Sequence, residues 1–262
     1  MKAALTDKKA LVCGSSQGIG RAAALALAEL GATVVLCARN ASALEQVKKD
    51  LATSNGQAHE IIVADFDDPA GLQHTIDAFI AGDRSVHILV NNTGGPPGGA
   101  ALEASPEAFT AAFSRHLICN QILAQTLLPG MKATRYGRII NVISTSVKQP
   151  IPGLGVSNTV RGAVANWAKT LAGEVAAFGI TVNNVLPGAT NTARLKSIIA
   201  SKAESTQQSV KAVTDKMRSV IPAGRFAEPD EIGAAIAFLA SPSAAYITGI
   251  NLPVDGGRTA CL

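Results

Sequence analysis

Short apolar runs recur along this chain, and between them apolar residues fall at helical spacing. Ala10 to Cys13, Ala32 to Cys37, Ile61 to Ala64, Val86 to Val90, Arg138 to Ile143, Ile180 to Leu186 and Ile250 to Val254 read as about seven strands. Most are apolar on both faces, which predicts a parallel sheet covered by helices on either side. The first helix shows its apolar face at Ala22, Leu25, Leu27 and Leu30. Further helices are predicted after Asn40, from Pro69 to Ala81, from Pro106 to Lys132, from Ser157 to Phe178 and from Glu228 to Ala240. Thr190 to Pro222 is a polar helical stretch, rich in Lys, Ser and Gln, that fits poorly into a core. The alternation predicts a doubly wound α/β fold built as a single domain over residues 1–262.

The first strand runs into Gly14-Ser15-Ser16-Gln17-Gly18-Ile19-Gly20-Arg21. A strand, a glycine turn and a helix N-terminus together make an anion site. Backbone N–H groups point outward, the helix dipole is positive there, and glycine lets a pyrophosphate approach. The spacing is G-x-x-x-G-x-G rather than the commoner G-x-G-x-x-G of dinucleotide sites. Ligands of open parallel sheets bind beyond the carboxyl ends of the strands. Gly14, Arg39, Asp65 and Asn92 stand at four such ends and are expected to share one crevice.

The chain has 262 residues, 47% of them hydrophobic, enough for one large domain with a full core. Its net charge of +4 comes with lysines and arginines scattered among acids, a solvated surface rather than a nucleic-acid footprint. Cys13, Cys37, Cys119 and Cys261 show no metal-ligand spacing, and no metal is expected. Cys13 and Cys37 lie in apolar strands and read as reduced core residues of a cytoplasmic protein. The N-terminus has no apolar signal core and no segment approaches a membrane span.

In order along the chain stand the glycine turn, Asp65, Asn91-Asn92-Thr93-Gly94, Gly137 to Asn141 with Ser144, Pro187-Gly188 with Thr192, and Arg225 through Asp255-Gly256-Gly257. In this order and spacing the chain resembles the short-chain dehydrogenase/reductase family. The resemblance implies a Rossmann-type domain, a small-molecule substrate and a homo-oligomer, a tetramer or dimer, built through the long helices of the second half. It implies a bound NADP(H) or, second, NAD(H). The positions implied to hold it are Gly14, Ser15, Ser16, Gln17, Gly18, Ile19, Gly20, Arg39, Asp65, Phe66, Asn92, Thr93, Gly94, Arg161, Pro187, Gly188 and Thr192. Cys13 stands where the family usually has Thr, and Thr93 where it has Ala. NADP(H) is favoured because Ala38-Arg39-Asn40 offers no acid for a ribose 2′-hydroxyl and a guanidinium suited to a 2′-phosphate.

The larger departures lie at the chemistry. The family uses an Asn, a Ser, a Tyr and a Lys, and these positions align with His116, Ser144, Ser157 and Arg161. Only Ser144 is kept. Ser157 lacks a phenol's acidity, and Arg161 holds ribose hydroxyls without exchanging a proton. His116 is the candidate acid, titrating near neutrality and acting through water on Ser144 or Ser157. The reading is an NADP(H)-dependent oxidoreductase of a small carbonyl or alcohol, a 3-oxoacyl compound or related ketone, with an altered proton relay. The alternatives are a non-catalytic dinucleotide-binding protein and a non-redox epimerase or dehydratase. Residues 190–222 are expected to form a mobile lid over the substrate.

Overall fold

The computed structural model describes residues 4–82 and 84–261. Its strands are β1 (Lys9–Cys13), β2 (Thr33–Ala38), β3 (Glu60–Val63), β4 (Ile88–Asn91), β5 (Gly137–Val142), β6 (Ile180–Pro187) and β7 (Asn251–Val254). They form one sheet in the order β3-β2-β1-β4-β5-β6-β7, every pair parallel. The order reverses between β1 and β4, and a crevice opens beyond the carboxyl ends at that switch. The chain thus meets the expected doubly wound, seven-stranded fold.

The helices are α1 (Gly18–Glu29), α2 (Ala41–Asp50), α3 (Pro69–Ile80), α4 (Pro106–Phe113), α5 (Cys119–Thr134), α6 (Gly155–Val175), α7 (Ala193–Ser205), α8 (Val210–Ser219) and α9 (Pro229–Ala240). Alternation along β1 sends Ala10 and Val12 to one face and Leu11 and Cys13 to the other. On the first face Leu27 of α1, Leu44 of α2 and Ile232 and Ile236 of α9 close the core. On the second, Leu72 of α3, Leu123 of α5 and Leu171 of α6 do so. Cys13 and Cys37 are fully buried free thiols. Among the described residues no helix is long and apolar enough to cross a membrane.

Two elements differ from the sequence expectation. The helix expected from Pro106 to Lys132 is interrupted by a π turn, Ser114–Ile118. A π turn takes up an extra residue and re-aims its side chains, and such turns gather at functional positions. This one carries Arg115 and His116. The polar stretch after Pro187 is a helical pair, α7 and α8. It has a small core of its own from Leu195, Ile199, Val213, Ile221 and Phe226, apart from the main layers.

Across the second half of the sheet runs a ladder that apolar patterning does not foretell. Asn91, Asn141, Asn184 and Asn251 occupy one register on β4, β5, β6 and β7. Asn91 Nδ2 donates to Asn141 Oδ1 at 2.8 Å, Asn141 Nδ2 to Asn184 Oδ1 at 2.9 Å, and Asn184 Nδ2 to Asn251 Oδ1 at 2.8 Å. The inner amides are buried, so each needs its neighbour. Truncating Asn141 to Ala strands one donor and one acceptor, each costing about 1–3 kcal/mol. Asn141→Ala should therefore lower the unfolding free energy by about 2–6 kcal/mol in urea titration. A loss no larger than that of a surface substitution would show that the ladder contributes nothing.

Candidate cofactor crevice and active site

The glycine turn is held by close backbone approach. A Cβ on Gly20 would lie 2.2 Å from the carbonyl oxygen of Gly14, and one on Gly14 (φ +61°) would lie 2.4 Å from that of Asn92. Asn92 Nδ2 donates to the carbonyls of Cys13 at 3.2 Å and Gly14 at 3.3 Å, so its side chain braces the turn from below. Gln17 makes no side-chain cap on α1, and the first turn of α1 contains no acid. Its unpaired N–H groups and positive end therefore face the crevice, as an anion site requires. Thr192, which caps α7, lies 3.3 Å from the Cβ position of Gly18. Gly188 is pressed against Asp255 and donates its N–H to Val254.

Ser15 packs against the end of β2. It is fully buried, its hydroxyl accepts from Cys37 N at 2.9 Å, and its own N–H donates to Cys37 O at 3.4 Å. Both polar groups stitch the end of β1 to β2 and are spent. Phe66 is likewise a core residue. Its carbonyl accepts from Cys119 Sγ, and its ring borders a cavity of about 550 Å³ lined also by Pro106, Thr110 and Ser114.

At the end of β2, Arg39 is exposed, with Nη1 3.9 Å from both Asp65 Oδ2 and Asp67 Oδ2. Asp67 in turn is gripped by Arg115 of the π turn, whose Nη2 and Nε meet Asp67 Oδ1, the latter at 2.6 Å. Asp67 and Arg115 went unmarked in the sequence. The aspartate run at 65, 67 and 68 was a signal, but nothing in it points to an arginine 48 residues away.

On the other side of the switch, His116 and Thr93 share a hydrogen bond of 2.7 Å between Nδ1 and Oγ1. His116 is 2% exposed and its Nε2 is buried without a partner. Burial first, then the charges of Arg161 and Arg115, push its pKa down from 6.5 to about 2. The expected titration near neutrality is thereby corrected: desolvation and two cations keep this imidazole uncharged. Ser144 stands at the end of β5, its Oγ accepting from Ser146 N at 3.1 Å. Ser157 is half-buried in the first turn of α6, and its hydroxyl has no partner among the described residues. One turn on, Arg161 is buried and donates from Nη1 to Val142 O at 2.9 Å, with burial lowering its pKa to about 10. The helical pair α7 and α8 is fastened to the loop after β4 by Arg194, whose Nη2 donates to Pro96 O at 2.9 Å.

A family model described as enoyl-(acyl carrier protein) reductase matches residues 14–259. The chain is 35% identical over 257 residues to the 3-oxoacyl-(acyl-carrier-protein) reductase FabG of Vibrio cholerae serotype O1, covering 97% of this chain and 98% of that protein. It is 31% identical to the NADPH-dependent reductase BacG of Bacillus subtilis, covering 97% of this chain and 98% of that one. Among solved structures, L-sorbose reductase from Gluconobacter frateurii, complexed with NADPH and L-sorbose, superposes with a TM-score of 0.92 at 30% identity. That match covers the whole of both chains. A uniformly parallel sheet with its switch at β1 and β4, an uncapped glycine turn at that switch, and relatives matched from end to end make one assignment: the chain belongs to the short-chain dehydrogenase/reductase family.

Proposed function

We propose that this protein is an NADP(H)-dependent oxidoreductase that interconverts a small carbonyl compound and its alcohol. The observation that carries the reading is the uncapped N-terminus of α1 at the switch point, with an arginine and no acid closing β2. The N–H groups of Gly18 to Gly20 receive the pyrophosphate, Arg39 the 2′-phosphate, and Asp65 the adenine edge. The cofactor supplies the hydride. The chain positions it and orients the substrate oxygen, for which Ser144 is the available hydroxyl. Cytoplasmic location and assembly into a homotetramer or dimer belong to the same reading. The exposed apolar side chains of Phe113, at the end of α4, and Ile118, at the end of the π turn, support the assembly.

The proton relay differs from the family's. Ser157 and Arg161 replace the acid and the cation that lowers its pKa, and His116 is neutral at physiological pH. His116 with Thr93 serves as a fixed, uncharged hydrogen-bonding pair beside the crevice, and water supplies the proton. Residues 190–222 act as a lid latched by Arg194.

Arg39 has to bind a phosphate in the company of Asp65 and Asp67. Removing the cation should weaken NADPH by about tenfold and leave NADH nearly unchanged, while Asp67→Asn should tighten NADPH a few-fold. Fluorescence titration of Arg39→Ala and Asp67→Asn reads both constants. Parent protein that binds NADH as tightly as NADPH would refute the preference.

Arg194→Ala should speed amide hydrogen exchange in residues 193–205 and raise KM for the carbonyl substrate, with NADPH affinity unchanged. Unaltered exchange would show that the contact with Pro96 is no latch.

His116 makes a sign-specific contribution to stability. Its folded pKa of about 2 lies below the ordinary 6.5, so in acid the unfolded chain binds a proton that the folded chain refuses. Stability from this residue is intact above 6.5 and falls as pH drops below it, by up to about 1.4 kcal/mol per pH unit. Urea unfolding at pH 7 and pH 5 should show a smaller difference for His116→Asn than for the parent. Identical pH dependence would mean that the ring is accessible to protons.

A further inference from the structure

Arg161 is a buried cation with no counter-ion. Its one hydrogen bond goes from Nη1 to Val142 O, and no carboxylate pairs with it among the described residues. Burial is the only cause that shifts its pKa, and that value, about 10, leaves it charged at pH 7. The other four N–H bonds of the guanidinium make no hydrogen bond within the described residues, and Nε and Nη2 are not sealed from solvent, so they face the crevice open to a ligand. Nη2 lies 3.8 Å from where a Cβ on Gly95 would stand, so the glycine loop after β4 passes directly across the guanidinium. A largely buried charge with no counter-ion is costly, and such groups gather where a ligand completes them.

The walls around it are consistent in sign. Residues 94–101, 144–161 and 188–203 lie beyond the carboxyl ends of β4, β5 and β6. They contain Lys148, Arg161, Arg194, Lys196 and Lys202, and no Asp or Glu. These segments are bonded to one another: Gly99 N to Gly153 O at 2.7 Å, Gly155 N to Gly99 O at 3.0 Å, and Arg194 Nη2 to Pro96 O. The titratable group facing Arg161 from the π turn is His116, which is neutral. Asp255, beside Gly188, spends its carboxylate on the N–H groups of Gly257 and Thr259. Nor is positive charge spread evenly over the molecule. Residues 190–222 hold Arg194, Lys196, Lys202, Lys211, Lys216 and Arg218 against Glu204 and Asp215, a surplus equal to the whole chain's net charge of +4. The lid therefore carries a field that draws anions toward the site it covers.

We propose that the substrate is an oxo acid, a carbonyl compound with a free carboxylate, and that Arg161 receives that carboxylate. A guanidinium presents two parallel N–H bonds in the geometry a carboxylate accepts, whereas ribose hydroxyls are neutral and leave the charge uncompensated. The proposal rests on the oxidoreductase reading above. In the forward direction hydride from NADPH adds to the carbonyl carbon. The C=O π pair moves to oxygen, that oxygen takes a proton from water, and a hydroxy acid and NADP⁺ leave with the carboxylate unchanged.

The test uses the full chain with NADPH, and compares 2-oxobutanoate, phenylpyruvate and acetoacetate with their methyl esters. Turnover of the free acid should exceed that of its ester by about 100-fold in kcat/KM, since the ester cannot form the charged pair. Arg161→Gln should shrink the acid-to-ester ratio of kcat/KM from about 100-fold to less than about threefold, a ratio that a general loss of turnover or of NADPH affinity does not move. Arg161→Lys, which keeps the charge but not the fork, should fall between. Esters turned over as well as acids would overturn the proposal. So would Arg161→Gln losing NADPH affinity by the same factor as activity, which would make Arg161 a ribose ligand instead. If no compound is consumed, 2-hydroxybutanoate should still quench the fluorescence of bound NADPH in the parent and not in Arg161→Gln, and failure of that difference also overturns it. If NADPH itself does not bind, the oxidoreductase reading falls. The carboxylate site is then read by the thermal shift that 2-oxobutanoate alone gives to parent and variant, equal shifts counting against it.

Discussion

Between Gly20 and the carbonyl of Gly14 there is no room for a side chain, and the organisation of the site follows from that closeness. It turns β1 into α1 within a few residues and leaves the first N–H groups of the helix aimed at open space. The same packing brings Asn92 under the turn, so the loop after β4 is set by the loop after β1. Thr93, the next residue, thereby reaches His116 on the π turn. One backbone contact thus links three segments separated by most of the first half of the chain.

Much of this was legible in the residues. Apolar strand runs gave the sheet, and glycines after the first of them gave the anion site, because burial and backbone closeness act on composition directly. What escaped has tertiary causes. The π turn is invisible in helical periodicity: an unbroken stretch from Pro106 onward carries no mark that Arg115 will be drawn to Asp67. Ser15 stands in a glycine turn, and its N–H and hydroxyl are paired to Cys37 at the end of β2, a contact that no local pattern marks. His116 was assigned the acidity of an ordinary imidazole, whereas burial beside Arg161 sets a different one. The ladder asparagines did leave a trace, since a polar amide near the end of a buried strand needs a partner.

The two crevice arginines show how surroundings divide one side chain into two functions. Arg39 is exposed and shared between two carboxylates, so its charge is screened and adjustable. Arg161 is enclosed, and the carbonyl of Val142 satisfies one of its hydrogen bonds without answering its charge. In a solvated setting the same guanidinium contributes little, while in an enclosed one its charge weighs far more.

The asparagine ladder works as a gauge for the active end of the sheet. Its four rungs come from positions spread over 160 residues of sequence, yet each sits two to four residues before a crevice residue: Asn91 before Thr93, Asn141 before Ser144, Asn184 before Gly188, Asn251 before Asp255. Apolar side chains tolerate a neighbour that slides along the strand, because they attract one another at many offsets. Amides joined head to tail do not, and a slip of one residue turns the rung to the opposite face. The spacing among substrate-facing loops is therefore measured off inside the sheet, by groups that never meet the substrate. Loops hung from such a gauge are free to change their residues without losing their places.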